Sequence, residues 1–381
     1  MKKLLLSSAA VVIGAAAIAA PAQAQVELGL GGHFKGYTVY HTQKDEYGLE
    51  NERRFDILRT TEVHFTGETT LANGLTVGAH IEALIGGNRF NEDNNDGSNV
   101  TVDESYLYMS GAWGRVNFGN EDGAAYLLQV AAPSADSNID GLRQFINPLN
   151  VSDAGYFSAA QAEYARKLDY AQDFTRGDDK ITYLTPVFEG FQAGISYTPE
   201  VDGATRTFGV GDRDGDVGDL HHGWDLAARY EGQFDQFGLT LGGGFSGASQ
   251  KQSDDTTKSR RAWNLGGNVA VSAFNLGVVY TRDNNGLASD QDGNRTRQWV
   301  VGGDYTTGPF KLGVSYLNDK LRDAFGNNED LKTQRYSGGV TYTYGPGMTF
   351  RGSIHHVRHK TPTGDANPKA TSFLLGTQVN F

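Results

Sequence analysis

Cysteine is absent from the 381 residues, and there are only three methionines and nine prolines. Without thiols the chain has no disulfide, no thiol nucleophile and no cysteine metal site, so an exported protein of this size must be held by backbone pairing and packing. Beyond the first two dozen residues there is no apolar run near the roughly 18 residues that a spanning helix needs. Neither G-x-S-x-G nor H-E-x-x-H occurs, which removes two local signatures of hydrolases. Positive charge is also scarce. The formal balance is −12, and −14 once the two lysines of the leader are subtracted, which argues against nucleic acid as a partner.

The leader is legible. Lys2 and Lys3, an apolar run over residues 4–20, and Ala22-Gln23-Ala24 reproduce the three regions of a secretory signal, so residues 1–24 read as a signal peptide and 25–381 as one domain. That length suggests two or three ordinary domains, but closed β architectures use it as one. Fifty glycines with 38% hydrophobic residues are thin material for a soluble core. A glycine-rich calcium roll would need a nine-residue repeat, and the acidic run at 212–216 does not recur in register.

What the chain does have is two-residue alternation. Phe191, Ala193, Ile195 and Tyr197 alternate with Gln192, Gly194, Ser196 and Thr198; Trp299, Val301 and Tyr305 alternate with Gln298, Gly302 and Asp304. Of about sixteen segments of strand length, most follow this rule, with one apolar and one polar face. A soluble sandwich also alternates, but two features favour a membrane barrel. Aromatic residues such as Trp224, Tyr230, Trp263, Tyr280, Trp299, Tyr316 and Tyr344 cluster near strand ends on the apolar face, as in interfacial girdles. Connections alternate strictly between seven short reversals and eight long polar loops. Lipid cannot satisfy sheet edges, so the predicted fold is all-β: a closed transmembrane antiparallel β-barrel of sixteen strands around an aqueous lumen.

One connection stands apart. After the strands in VDESYLYMSGAWGRVNFG (102–119) the alternation stops and resumes only after residue 178. A segment that long is functional or disordered. It opens on Glu121, Asp122 and Gly123, continues with a helix-prone AAYLLQVAA ended by Pro133, and carries a capping-box pattern from Ser158 to Gln161.

VDESYLY at 102–108 with GRVNFG at 114–119 and Glu121-Asp122, LANGLT at 71–76, and KITYLTP at 180–186 followed by GFQAGISYTP at 190–199 resemble the Gram-negative general porins of the trimeric, sixteen-stranded kind. The resemblance spans the mature chain and implies an outer-membrane location, homotrimers, passive diffusion of ions and small hydrophilic solutes, and a third long loop, 120–178, folded into the lumen. It also implies contact with the lipid bilayer and lipopolysaccharide. The C-terminal strand, with Phe373, Leu375, Val379 and Phe381 on one face, looks like the assembly signal of such barrels.

Glu121, Asp122, Asp136 and Asp140 are candidate constriction acids, or else solvated loop residues and helix caps. Glu62, His64, His80, Glu82, Arg115 and Arg351 have inward parity on the wall and would tune selectivity or hold the loop through ion pairs. Arg59 has the opposite parity, so the family's arginine cluster is only partly present. Asp212, Asp214, Asp216 and Asp219, and separately Glu92, Asp93 and Asp96, resemble oxygen-ligand clusters for Ca2+, or keep the rim solvated. No other cofactor is expected. His355, His356 and His359 sit on a strand, where i,i+4 spacing does not converge rings. The expectation is a non-enzymatic, weakly cation-preferring channel; the alternatives are a substrate-selective porin or a structural, adhesive barrel.

Overall fold

The computed structural model describes residues 26–43, 54–85, 100–135, 165, 168–201, 219–250, 257–288, 290–291, 293–326, 328–362 and 367–381. Among these, sixteen strands close into one antiparallel barrel in which each strand pairs with its sequence neighbours and the first pairs with the last. They are β1 (Glu27–Gln43), β2 (Phe55–Thr70), β3 (Thr76–Ile85), β4 (Val100–Gly111), β5 (Gly114–Asn120), β6 (Asp179–Leu184), β7 (Phe191–Val201) and β8 (Leu220–Phe234). The series continues with β9 (Phe237–Gln250), β10 (Arg260–Val271), β11 (Phe274–Asp283), β12 (Arg295–Thr307), β13 (Phe310–Arg322), β14 (Leu331–Gly345), β15 (Met348–Lys360) and β16 (Lys369–Asn380). A single helical turn, α1 (Ala124–Leu127), follows β5.

The alternation in sequence becomes an inside and an outside. On β12, Thr296, Gln298, Val300 and Asp304 are buried toward the interior while Trp299, Val301 and Tyr305 are exposed. Outward rings form two belts. At the long-loop end Tyr197 meets Trp224 at 4.6 Å, Trp263 meets Tyr280 at 5.0 Å, Tyr280 meets Trp299 at 4.5 Å and Tyr316 meets Tyr336 at 4.9 Å. At the short-turn end Phe191 meets Tyr230 at 4.4 Å, Phe274 meets Tyr305 at 4.6 Å and Phe310 meets Tyr342 at 4.8 Å. On six strands (β7, β8, β11, β12, β13 and β14) the two belts are six positions apart, about 20 Å of strand. A constant spacing of this kind makes two parallel planes, as two flat water–lipid boundaries require.

The short turns are tight. Asp235, Ser272, Gly308 and Gly347 hold the positive φ that hairpin reversals between twisted strands demand. The seam is closed along β1 and β16 from His33↔Asn380 to Gln43↔Ala370. Beyond it the last residue still pairs: Gly32 N donates to Phe381 O at 3.0 Å and Phe381 N to Gly32 O at 3.1 Å. Gly32 sits at φ +152°, and a side chain there would strike the Glu62 carbonyl.

Two expectations need correction. Only residues 124–127 of the helix-prone AAYLLQVAA are helical: Leu128 N and Gln129 N still bond back to Ala124 O and Tyr126 O, but the carbonyls of Gln129 and Ala131 take wall side chains and Ala132 N takes the Tyr170 hydroxyl. Inward positions are also not uniformly small or polar. Val279, Val300 and Leu317 point inward and are at most 2% exposed against Ala132 and Tyr170 of the long connection. The proposed helix heading from Ser158 lies outside the described residues.

Removing Phe381 is expected to lower the fraction of chain that refolds in detergent, read as loss of the heat-modifiable gel-mobility shift. An undiminished fraction would show that the terminal pairing and its outward ring are dispensable.

Candidate functional site: the inner wall and the third long connection

Both described limbs of the third long connection, residues 121–135 and 168–178, lie against the inner face of the barrel. The first is seated by side chains of the wall. Ala124 N donates to Ser196 Oγ at 2.8 Å, Asn268 Nδ2 to Ala131 O at 2.9 Å, Arg229 Nη1 to Gln129 O at 3.3 Å and Thr341 Oγ1 to Ala135 O at 2.5 Å. The second is held by Arg335 Nη1 donating to Leu168 O at 2.9 Å and Gln298 Nε2 to Asp169 O at 2.7 Å. Gln129 ties the limbs together, donating to Tyr170 O at 2.9 Å and accepting from Gln172 N at 2.8 Å. Gln172 in turn donates to Ser246 Oγ at 2.8 Å and accepts from Asn264 Nδ2 at 2.7 Å.

A track of glycines makes this approach possible. A Cβ at Gly242 would sit 2.7 Å from Val130 Cγ2, one at Gly266 3.0 Å from Val130 Cβ, one at Gly277 2.8 Å from Pro133 Cδ and one at Gly313 2.6 Å from Ala135 N; at Gly302 it would collide with the Pro133 carbonyl. These five glycines on β9 to β13 form a groove across the strands, into which residues 128–135 fit. Part of the chain's high glycine content is therefore explained by lining this groove.

Buried charges gather at the root of the connection. Asp225, fully buried, accepts from Thr175 Oγ1 at 2.9 Å and from Ser246 Oγ. Lys180 Nζ donates to the carbonyls of Glu121 and, at 2.6 Å, Asp178. Glu121 itself is 3% exposed and accepts from Asn117 Nδ2 at 2.6 Å, while Arg115 Nε donates to Asn117 Oδ1 at 2.6 Å and stacks 4.0 Å above the Tyr108 ring. Burial pushes the Glu121 carboxyl above the usual carboxylate range, against hydrogen bonds from Thr182 and Asn117 and the charge of Lys180. Asp122 lies 3.8 Å from Arg176 Nε, and Arg176 also pairs with Asp103 at 2.5 Å.

Across the interior, β1 to β3 carry a patch of ionisable side chains that are 13–21% exposed: His33, Glu62, His64, His80 and Glu82. Directly opposed residues in the ladder bring them together, with His33 facing Glu62 and His64 facing Glu82. A register shift between β3 and β4 brings Asp103 and Glu104 to the same wall. Arg351 also faces inward, its Nε donating to Thr349 Oγ1 at 3.2 Å. Arg59, paired with Gly36, faces away from the interior. His355 and His359 are buried inward with hydroxyl partners Ser337 and Thr333, whereas His356 faces outward.

Asp136, Asp140, Asp212, Asp214, Asp216, Glu92, Asp93 and Asp96 lie outside the described residues; Asp219 is described and exposed just before β8. Several wall residues escaped sequence reasoning. Asp103 needed the bulge, since alternation puts only one of Asp103 and Glu104 inward. Asp225, Arg229 and Arg335 have inward parity that was open to reading from their neighbours, but their partners come from the connection, about 50 to 170 positions away.

A closed barrel with aromatic belts outside, ionisable groups inside and a connection lodged against its inner wall defines a membrane-spanning, pore-type outer-membrane barrel. Residues 8–362 match the family model for the Gram-negative porin, and the chain belongs to that family. Solved structures agree on the fold. The anion-selective porin from Comamonas acidovorans shares 15% identity with a TM-score of 0.64, covering 94% of this chain and 100% of that one. In-vitro folded OmpT of Vibrio cholerae, in its trimer form, shares 14% identity (TM-score 0.59; 93% and 99% covered), and Salmonella typhi OmpF in complex with daunomycin shares 16% (TM-score 0.59; 93% and 98%). No curated protein matches the sequence significantly. The protein is located in the outer membrane.

Gly302→Val is expected to dislodge the first limb, lowering the thermal midpoint of the folded barrel and altering single-channel conductance. Gly338→Val, at a position where an added Cβ meets only Val314 and Ile354 side-chain atoms at 3.8 Å, should leave both unchanged. Equal behaviour of the two variants would show that the groove does not seat the limb.

Proposed function

We propose that the barrel is a water-filled channel for passive diffusion of ions and small hydrophilic solutes, narrowed by residues 120–178 and weakly cation-preferring. A channel rather than an enzyme is what family and fold favour. The observation that carries the cation preference is the arrangement of the wall. The two described limbs cover the inner face from β7 to β14, where charges such as Asp225 and Arg335 are fully buried. On β1 to β3, Glu62, Glu82 and the three histidines remain partly exposed. An ion in a narrow passage lies well within a Debye length of about 8 Å from such groups, so their sign is felt with little screening. The surplus of acids in the mature chain acts in the same direction.

The sign is specific to this chain, because an anion-selective porin has the same fold. Homotrimeric assembly belongs to the same reading, supported by the trimer form of Vibrio cholerae OmpT. Lipopolysaccharide, bridged through divalent ions at the acidic long loops, is the partner proposed for the rim. No observation favours the adhesive barrel.

In planar bilayers under asymmetric potassium chloride, the reversal potential is expected to favour potassium, and Glu62→Gln with Glu82→Gln to move it toward chloride. A wild-type potential favouring chloride would refute the preference. Negligible conductance would refute the channel.

A further inference from the structure

Geometry on β2 and β3 points to a binding site for a borderline divalent transition cation such as Zn2+: we infer that His64 Nδ1, His80 Nε2 and the Glu82 carboxylate form its three protein ligands. One ligand atom from each of these residues lies within 4.8 Å of the other two. His80 Nε2 is 2.8 Å and His64 Nδ1 3.6 Å from Glu82 Oε1, against an edge of about 3.4 Å for a tetrahedral site with bonds of ~2.1 Å. Against that edge the His80–Glu82 distance is about 0.6 Å short and the His64–Glu82 distance about 0.2 Å long.

A cluster of titratable groups would not by itself make a site. What distinguishes this one is how each ring is held by its other nitrogen. His64 Nε2 is bound by the Glu62 carboxylate at 2.5 Å, and His80 Nδ1 by Thr66 Oγ1 at 2.8 Å. Both imidazoles are thus fixed by an oxygen on one side and turned toward a shared point on the other, which is how proteins orient metal-binding histidines. The ladder enforces it, because His64 lies directly opposite Glu82 and Thr66 directly opposite His80. Backbone register, rather than flexible reach, places all five side chains.

Electrostatics supplies a second reason. Carboxylate oxygens of Glu62, Glu82 and Asp103 also come within 4.8 Å of one another; Arg176 pairs with Asp103, and a dication would offset the like charge that remains on the two glutamates. Two imidazoles with one carboxylate suit Zn2+, Co2+, Ni2+ and Cu2+, whereas Mg2+ and Ca2+ prefer all-oxygen shells. The patch is partly exposed toward the interior, so a fourth position is left for water or a passing solute. The neighbouring group of His33, Glu62 and His64 is the competitor, but it would turn Glu62 from the clamp of His64 into a ligand, and His33 Nδ1 stands 3.8 Å from that carboxylate.

The test uses folded protein in detergent, with folding checked by heat-modifiable mobility. Calorimetry with ZnCl2 at neutral pH should give one site per chain that excess Mg2+ does not displace, and Co2+ should give the visible absorption of a low-coordinate nitrogen–oxygen site. His80→Ala and Glu82→Gln should each weaken zinc binding at least ~10-fold, and Thr66→Val, which keeps all three ligands, by a factor nearer the ~10-fold seen when an outer partner is lost. His33→Ala should leave the affinity unchanged. Absence of a zinc site, retention of binding in a His64→Ala/His80→Ala double variant, or dependence on His33 in place of His80 would each overturn the assignment. Because binding is read by heat and by cobalt absorption, its failure is distinct from failure of the channel reading, which conductance alone decides.

Discussion

Backbone groups in hydrocarbon must find partners within the protein, and everything else in this structure follows from that requirement. An open sheet would leave two edges unpaired, so β1 must meet β16. The seam is continued past the strand itself, with Phe381 bonded in both directions to Gly32. Once the ring is closed, the two faces of every strand acquire different solvents. The outer one takes Trp299, Val301 and Leu312, and the inner one takes water, the lodged connection, or both.

The inner face solves a second problem, that of holding a long irregular segment in place without a conventional core. Irregular backbone at membrane depth is tolerated only where protein or water satisfies it. Here Asn268, Arg229, Arg335, Gln298 and Thr341 donate to its carbonyls, and Ser196 accepts from Ala124. The glycines of β9 to β13 give it room, and Val279, Val300 and Leu317 give it a small apolar seat. One half of the interior is thereby committed to structure. The other half, around His64 and Glu82, keeps its ionisable groups available, and the division between a structural and an accessible wall is the basis for reading function here.

Much of the architecture was legible because a period of two is a local property: Trp299 and Gln298 declare their opposite faces without reference to any other strand. The same logic gave Glu62, His64, His80, Glu82, Arg115 and Arg351 their inward placement and Arg59 its outward one. It failed where partners are distant. Residues 128–132 have helical propensity, yet from the Gln129 carbonyl onward bonds from the wall and from Tyr170 stand where helical ones would, a tertiary override of local preference. Val300 was unreadable as an inward residue, since an apolar side chain facing a lumen makes sense only if something apolar, here Ala132 and Tyr170, arrives to cover it.

By itself, then, the amino-acid pattern determined that the chain crosses as strands, how many, which end carries the long connections and which side chains share a face, since all of these depend on alternation and turn residues within about ten positions. Only the tertiary structure decided that glycines on five strands line one groove, that Asp103 joins Glu104 through a bulge, and that the nitrogens of His64 and His80 turn toward Glu82 while Glu62 and Thr66 hold their other sides. Those outcomes depend on register between strands and on a connection returning across the barrel, and neither leaves a local mark in the sequence.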